Sequence, residues 1–368
     1  MAKDLRVKKK VLVVGFTTRH VACSAHNAGY SVYAVDNFCD KDLKDIVVAC
    51  RTFDDLSELV GIIDEFDREE NFDIIVSTSG AEDLTLKKKI SGTDSKTASF
   101  FLDKKNIQNF FESNNIPAPK IRQPGMYPAF IKPCVGAGGW RNKKVDNFLE
   151  EKEWTDLWPD VPYVRQEVAE GIPCSVSCIS NGKRAVAVSF NEQFLRGGNK
   201  DKSYGFSGAI TPFTHPMEKE IVKTAEKIVS LSGCIGSVGV DFIAGEDSFY
   251  AIEINPRFQA TMDIVEKSYG INLFNAHMSA CTGLLPHPDI RRAKQYTARK
   301  VLFAPKDIVV KDDLSVFSPD IADIPLIGTE IEEGCAVVSI YGFGSTRSDA
   351  LESLDKTIKD IGRYISRW

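Results

Sequence analysis

The sequence predicts an α/β protein built from two or three compact units. Three observations carry this reading. The chain has 368 residues, and single hydrophobic cores rarely grow past about 250–300 residues. Residues 11–80 run strand, helix, strand, helix, strand, the start of a parallel sheet with crossover helices. The later half carries paired apolar strands with polar side chains at every second position.

"VLVVGF" (11–16) is a short apolar run closed by glycine, a buried strand. "HVACSAHNAG" is helical and stops at Gly29, and "YSVYAVDN" (30–37) is the second strand. Residues 54–70 form a charged amphipathic helix, followed by the third strand, "FDIIVSTSG" (72–80). Asp36 lies 21 residues after Gly15, as the ribose acid of dinucleotide folds does, but "GFTTRH" lacks G-x-G-x-x-G. A structural Rossmann-like layer is therefore favoured over an NAD site. A helix at 103–114 ends in "NIPAPK". "YPAFIKPCVGAGGWRNKKV" (127–145) reads as strand, glycine loop and return strand. "PYVRQEVAEGIPCSVSCI" (162–179) and "RAVAVSFNEQF" add strands, and residues 216–232 a helix. Residues 236–256 form a hairpin around "AGEDS", 262–283 are mainly helical, and strands from about 297 lead to a final helix at 348–366.

Apolar content of 43%, charged content of 26% and a net charge of −5 are those of a globular protein that does not bind nucleic acid by bulk charge. No apolar run reaches the roughly 20 residues of a membrane helix, and the N-terminal apolar run is too short for a signal peptide. The nine cysteines are odd in number, scattered and without C-x-x-C, which predicts reduced thiols and a cytoplasmic protein. Cys174 and Cys178 share one strand face, expected in the core.

The chemistry concentrates in "YAIEINPRFQAT" (250–261). Side chains alternate along a strand, so Glu253, Asn255 and Arg257 emerge on one face, with Ile252 and Ile254 on the buried side. A hairpin closing around 245–248 brings Asp241 within reach of Glu253. Two carboxylates and an amide oxygen suit Mg²⁺ completed by water and phosphate. Arg257 beside them would grip a phosphoryl group bidentately. The bland alternative is a solvated hairpin face with one salt bridge. Lys132 ends an apolar strand and is followed by Gly136, Gly138 and Gly139, which let backbone N–H groups approach phosphates. It is not a P-loop, because no G-x-x-x-x-G-K-[ST] leads into a helix. Lys104 stands at a helix start, where a cation is unfavourable unless an anion lies nearby.

In this order, "DK" before "IPAP", "FIKP" with its glycine loop, "VRQEVAEG", "GVDF" and "EINPR" resemble the ATP-grasp superfamily. The likeness is nearest to carboligases related to biotin carboxylase and to amino-acid ligases of the pyrrolysine-pathway type. It implies an α/β (α+β ATP-grasp) fold with a Rossmann-like domain at 1–92, an ATP-grasp domain at 93–290 with a lid at about 127–165, and a C-terminal α+β portion at 291–368. It implies that Lys104 and Lys132 hold ATP phosphates, that residues 135–140 form a mobile loop over them, and that Gln166, Glu167 and Val168 meet adenine. Asp241, Glu253 and Asn255 would bind Mg²⁺ (or Mn²⁺), and Arg257 would stabilise the transferred phosphoryl. One departure is Pro173, where many relatives carry a ribose-binding glutamate; Glu170 is the substitute considered.

The function expected is ATP-dependent joining of a small-molecule carboxylate to an amine, with no nucleic-acid or membrane partner and a homodimer as the assembly considered. Bicarbonate activation of the biotin carboxylase kind and a non-catalytic nucleotide-binding protein are the alternatives. Specificity is expected from residues 191–209 and 257–272, with Arg196 as a catalytic candidate and Gln259 and Ser268 as substrate contacts.

Overall fold

The computed structural model describes residues 8–136, 138–197 and 202–368. Its N-terminal layer comprises β1 (Lys10–Gly15), α1 (Arg19–Asn27), β2 (Ser31–Asp36), α2 (Lys41–Lys44), β3 (Cys50–Arg51), α3 (Leu59–Glu70) and β4 (Ile74–Ser77). The strands form a parallel sheet in the order β3-β2-β1-β4. Both faces are covered, which is why β1 and β2 are continuous apolar runs. Val11, Val13, Val32 and Ala34 pack toward α1, while Leu12, Val14, Tyr33 and Val35 pack toward Ile63 and Phe66 of α3. Asp36 spends its carboxylate on the N–H groups of Thr18, Phe38 and Cys39 and on the Thr18 hydroxyl. These bonds fold the loop after β2 around its carboxylate.

That loop corrects the thiol expectation. Cys39, at φ 45°, is turned toward the strand beside β2 and forms a disulfide with Cys50, 11 residues away. The other seven cysteines are free.

Two helices, α4 (Ser95–Leu102) and α5 (Lys104–Ser113), lead to a small antiparallel sheet of β5 (Ala129–Pro133), β6 (Lys143–Val145) and β7 (Tyr163–Gln166), in the order β6-β5-β7. Helix α6 (Phe148–Leu157) covers it through Trp154, packed on Ala129, Ile131 and Val145. Neither α4 nor α6 is among the helices that the sequence predicts. The signal for α6 was its N-cap, Asn147, whose side chain accepts from Glu150 N three residues on.

The remaining chain supplies β8 (Ile172–Asn181), β9 (Ala185–Leu195), β10 (Phe206–Thr211), α7 (Glu218–Ser232), β11 (Ile235–Ala244), β12 (Phe249–Asn255), α8 (Met262–Tyr269), α9 (Leu273–Cys281), β13 (Tyr296–Phe303), β14 (Ile308–Val309), β15 (Ile321–Ala322), β16 (Glu330–Ile331), β17 (Ala336–Gly344) and α10 (Arg347–Ile365). Eight strands form one sheet, ordered β12-β11-β8-β9-β10-β13-β17-β15. Of the strands after residue 291, β13, β17 and β15 thus continue the central sheet, while β14 and β16 pair with each other. Cys174, Val176, Cys178, Phe190 and Val240 face α7 and α5 on one side. Ile179 and Val188 face the other side, where Phe258, α8, α9 and the N-terminal layer share a second core. No helix among the described residues is long and apolar enough to cross a membrane.

His277 of α9 pins this second core. Its Nδ1 accepts from Ser237 N at 2.9 Å, its Nε2 lies 2.9 Å from Ser91 O, and its ring stacks on Phe258 at 4.5 Å. An Nδ1 that accepts cannot carry a proton, so the ring is neutral with its proton on Nε2. Burial pushes its pKa down to about 4. A side chain at Gly236 would collide with the ring, since a Cβ there would lie 2.2 Å from Nδ1. The unfolded histidine, with pKa about 6.5, binds a proton that the folded one refuses. Stability therefore falls as pH drops from about 6.5 to 4, by up to about 3 kcal/mol for this residue. Thermal melts across that range should show a shallower decline for His277→Gln than for the native protein. An identical slope would remove His277 as the cause.

Candidate functional site

The site is built on the β11–β12 hairpin, whose turn closes with a Gly245 N to Ser248 O bond of 2.8 Å. Asp241 stands directly opposite Glu253, and the register slips immediately after this pair, so that Phe242 opposes Ala251. The slip makes Ile252 an extra residue. Expected on the buried side, Ile252 is only half-buried, and Ala251 and Ile254 are the core contributors. A bulge adds one residue to one strand and re-aims the side chains beside it. Here it leaves Glu253 and Asn255 on the polar face opposite Asp241.

Asn255 Nδ2 donates to Asp241 Oδ2 at 3.0 Å, and Gln193 Nε2 of β9 donates to Asp241 Oδ1 at 2.9 Å. Lys104 Nζ lies 3.5 Å from Glu253 Oε1. Burial, and then the charge of Glu253, push the Asp241 carboxyl up to about 6. Two carboxylates crowded in this way are what a cation relieves. Among the described residues no three His, Cys, Asp or Glu side chains converge on a metal-sized point. A two-carboxylate and amide set fits a hard divalent ion that keeps water and takes phosphate oxygens.

Lys132 is buried at the end of β5, and burial pushes its ammonium down to about 8, against the pull of Glu253 and Asp241. Lys104 begins α5, whose N-cap Asp103 accepts from Lys105 N. Lys104 N donates to Cys134 O at 2.8 Å, and its Nζ donates to Gly136 O at 2.9 Å. Lys104 therefore ties the glycine loop to the acidic hairpin. Gly136, Gly138 and Gly139 all have positive φ, at 149°, 66° and 72°. At Gly139 a Cβ would lie 2.2 Å from Tyr204 O, so only glycine permits that approach. Phe130 and Tyr204 meet edge-to-face at 4.7 Å. Within the loop 135–140, Ala137 lies outside the described residues, as do residues 198–201 of the segment 191–209.

Arg257 comes directly after Pro256. Its Nε donates to Glu82 Oε1 at 2.6 Å, NH1 to Phe258 O at 3.0 Å and NH2 to Asn255 Oδ1 at 3.3 Å. At the expected hinge, Gln166 is buried and donates to Gln108 Oε1 at 2.7 Å, while its own Oε1 has no partner among the described residues. Glu167 pairs its main chain and side chain with Lys120, and Val168 beyond it is half-buried. Glu170 is exposed, and Pro173 lies within β8 opposite Ile243.

Three candidates stand apart. Arg196, expected to act in catalysis, lays its guanidinium over Phe303 at 3.6 Å and donates to Gly334 O at 2.7 Å. It anchors the β9–β10 connection to the C-terminal segment, because a desolvated cation takes the nearest aromatic face and carbonyl. Ser268, expected to touch substrate, is fully buried, with its hydroxyl 3.2 Å from Thr211 O and 2.9 Å from Thr297 Oγ1. It lies on the face of α8 that packs on the sheet, which corrects that expectation. Gln259 is bonded to Arg257 O and crowds Gly239, where a Cβ would lie 2.5 Å from its Cγ. Gln193, Gln108 and Glu82 join the site from outside the sequence motifs. Gln193 had a weak signal, a polar residue at an alternate position of "SFNEQF". Glu82 had one too, just past the carboxyl end of a parallel strand, where open sheets place ligands.

Residues 82–261 match the family model described as the ATP-grasp domain. An uncharacterized protein of Methanocaldococcus jannaschii is 25% identical over 366 residues, covering 92% of this chain and 89% of its own. The fold is similar to that of the biotin carboxylase domain dimer of Hydrogenobacter thermophilus 2-oxoglutarate carboxylase, solved with MgADP, ADP and bicarbonate (TM-score 0.76, 14% identity, 95% of this chain and 89% of that one). It is also similar to L-amino acid ligase from Bacillus licheniformis (0.69, 15%, 96% and 98%). A third is phosphoribosylamine–glycine ligase from Thermotoga maritima (0.72, 17%, 95% and 96%). With the hairpin acids, the glycine loop and the eight-stranded sheet in place, residues 82–261 are an ATP-grasp domain, and the chain takes the fold of the ATP-grasp enzymes over nearly its whole length.

Proposed function

We propose that this chain is an ATP-dependent ligase that activates a carboxylate as an acyl phosphate and joins it to an amine, releasing ADP and phosphate. The observation that carries this is the gathering of Asp241, Glu253, Asn255 and Arg257 on one hairpin, with Lys104 reaching both Glu253 and the glycine loop. A carboxylate resists attack by an amine because oxide is a poor leaving group. Its oxygen instead attacks the γ-phosphorus, the bond to the ADP oxygen breaks, and ADP departs. The amine then attacks the acyl carbon, loses a proton, and expels phosphate. The protein's part is positioning and neutralising charge. Lys132 and Lys104 would hold the ATP phosphates, Gly136, Gly138 and Gly139 would bring main-chain N–H groups over them, and Gln166 to Val168 would face adenine. Asp241, Glu253 and Asn255 would hold Mg²⁺ or Mn²⁺, which would supply neutralisation of phosphate charge. The reading includes small-molecule substrates, a cytoplasmic setting and a homodimer.

Bicarbonate activation is the second reading, favoured by the fold shared with the 2-oxoglutarate carboxylase domain. One experiment separates them. Incubate the chain with MgATP and a panel of amino acids and amines, then with bicarbonate, and resolve the nucleotides. Phosphate and ADP appearing in step with an amide product are expected. Bicarbonate alone driving phosphate release selects the second reading. AMP formed in step with product removes the acyl-phosphate route altogether.

A further inference from the structure

We propose that Glu82 is a positioning residue for phosphoryl transfer: it holds the Arg257 guanidinium in the orientation that leaves its outer N–H groups for the transferred phosphate. This rests on the role assigned to Arg257 above, and it brings the N-terminal layer into the chemistry of the ATP-grasp hairpin.

Glu82 lies just beyond β4, after the turn closed by Ala81 N to Thr78 O. Its side chain is 6% exposed, and its Oε1 is 2.6 Å from Arg257 Nε, across 175 residues of sequence. Arg257 is itself enclosed, at 14% exposure. A buried carboxylate is tolerated when it is paired, and the guanidinium is the partner. Glu82 grips Nε, Phe258 O takes one hydrogen of NH1, and Asn255 Oδ1 takes one of NH2. A planar group held at three points cannot rotate. A guanidinium has five N–H donors, so among the described residues three are committed and two, one on each terminal nitrogen, are left for a ligand. Paired donors of this kind match the bidentate geometry of a phosphoryl group. The Asn255 contact is the longest of the three, and Asn255 is also a proposed metal ligand. With Glu82 uncharged, the remaining contacts are two oxygens of the same short segment, and the fork is free to swing. The side chain therefore gains a fixed orientation from the N-terminal layer that its own strand does not supply.

Glu82→Gln keeps the shape and one acceptor but removes the charge. Small misplacements of a reacting-centre group cost up to about a hundredfold in rate. Glu82→Gln is accordingly expected to lower kcat for phosphate release from MgATP, with the panel above, about 10–100-fold. ATP affinity by calorimetry should stay within about threefold, as for a group that acts on the transition state. Arg257→Lys should lose at least as much rate, and the double variant should be no worse than Arg257→Lys alone. A readout independent of turnover accompanies this: the Arg257 Nε–H, observed by NMR, should exchange slowly in the native chain and much faster in Glu82→Gln. Native kcat in Glu82→Gln, losses that multiply in the double variant, or unchanged exchange would each overturn the proposal while leaving the ligase reading intact. Full activity of Arg257→Lys, or no phosphate release by the native chain, would instead strike the reading of Arg257, with the exchange measurement still deciding whether Glu82 holds it.

Discussion

Glu253→Gln is expected to lower metal-dependent turnover about 10²–10³-fold, since a metal's charge stabilisation is worth several kcal/mol and each 1.36 kcal/mol is tenfold. The fold should survive. Glu253 is part-exposed, at 28%, and its ionic neighbour is Lys104 at 3.5 Å, too long and too open for a large stability term. The glutamine keeps the shape but not the charge that completes the acidic pair. Two further consequences have a fixed sign. Asp241 loses the neighbour that raises its pKa, so it ionises more readily. Lys132 loses the carboxylate that favours its charged form, so its pKa moves further down. Titrating Mg²⁺ or Mn²⁺ against phosphate release, with thermal melts alongside, tests this. Native-like turnover at low metal concentration would remove Glu253 from the metal set.

Arg257→Ala is expected to lower kcat about 10²–10³-fold, the loss typical of removing a preorganised group aimed at developing charge. ATP binding should change little, because the interaction strengthens as the phosphoryl leaves ADP. Stability is the complication. Alanine leaves Glu82 buried and unpaired, and breaking a buried pair costs roughly 3–5 kcal/mol. Arg257→Lys is therefore the companion variant: it keeps a cation near Glu82 but replaces a fork with a point charge. It should melt close to the native chain yet recover little of the rate. A rise in KM with kcat preserved, in either variant, would make Arg257 a binding group and not a transition-state one.

Much of this site is legible from alternation alone. Glu253 and Asn255 share a face because strand side chains alternate, and Asp241 opposes Glu253 because the "AGEDS" turn fixes the register of the hairpin. Lys104 is legible as a helix-start lysine, and it does lie beside an acid and the glycine loop. Alternation also marks its own limit. It assigned Ile252 to the core, whereas a one-residue bulge beside Asp241 gave that place to Ala251. Ser268 looked like a polar loop residue, and helix packing against β10 and β13 buried it.

Local sequence was enough for the parallel N-terminal layer, the acidic hairpin, the lysines and the glycine loop. Each is written in a window of a few to about twenty residues, over which backbone geometry fixes what faces where. Packing in three dimensions chose which distant side chains complete them: Gln193 on Asp241, Gln108 on Gln166, Cys50 on Cys39, Arg196 on Phe303, and Glu82 on Arg257. No local period encodes such pairs. They arise when separate elements pack and every buried polar group must find the nearest complementary partner or bear the cost of desolvation.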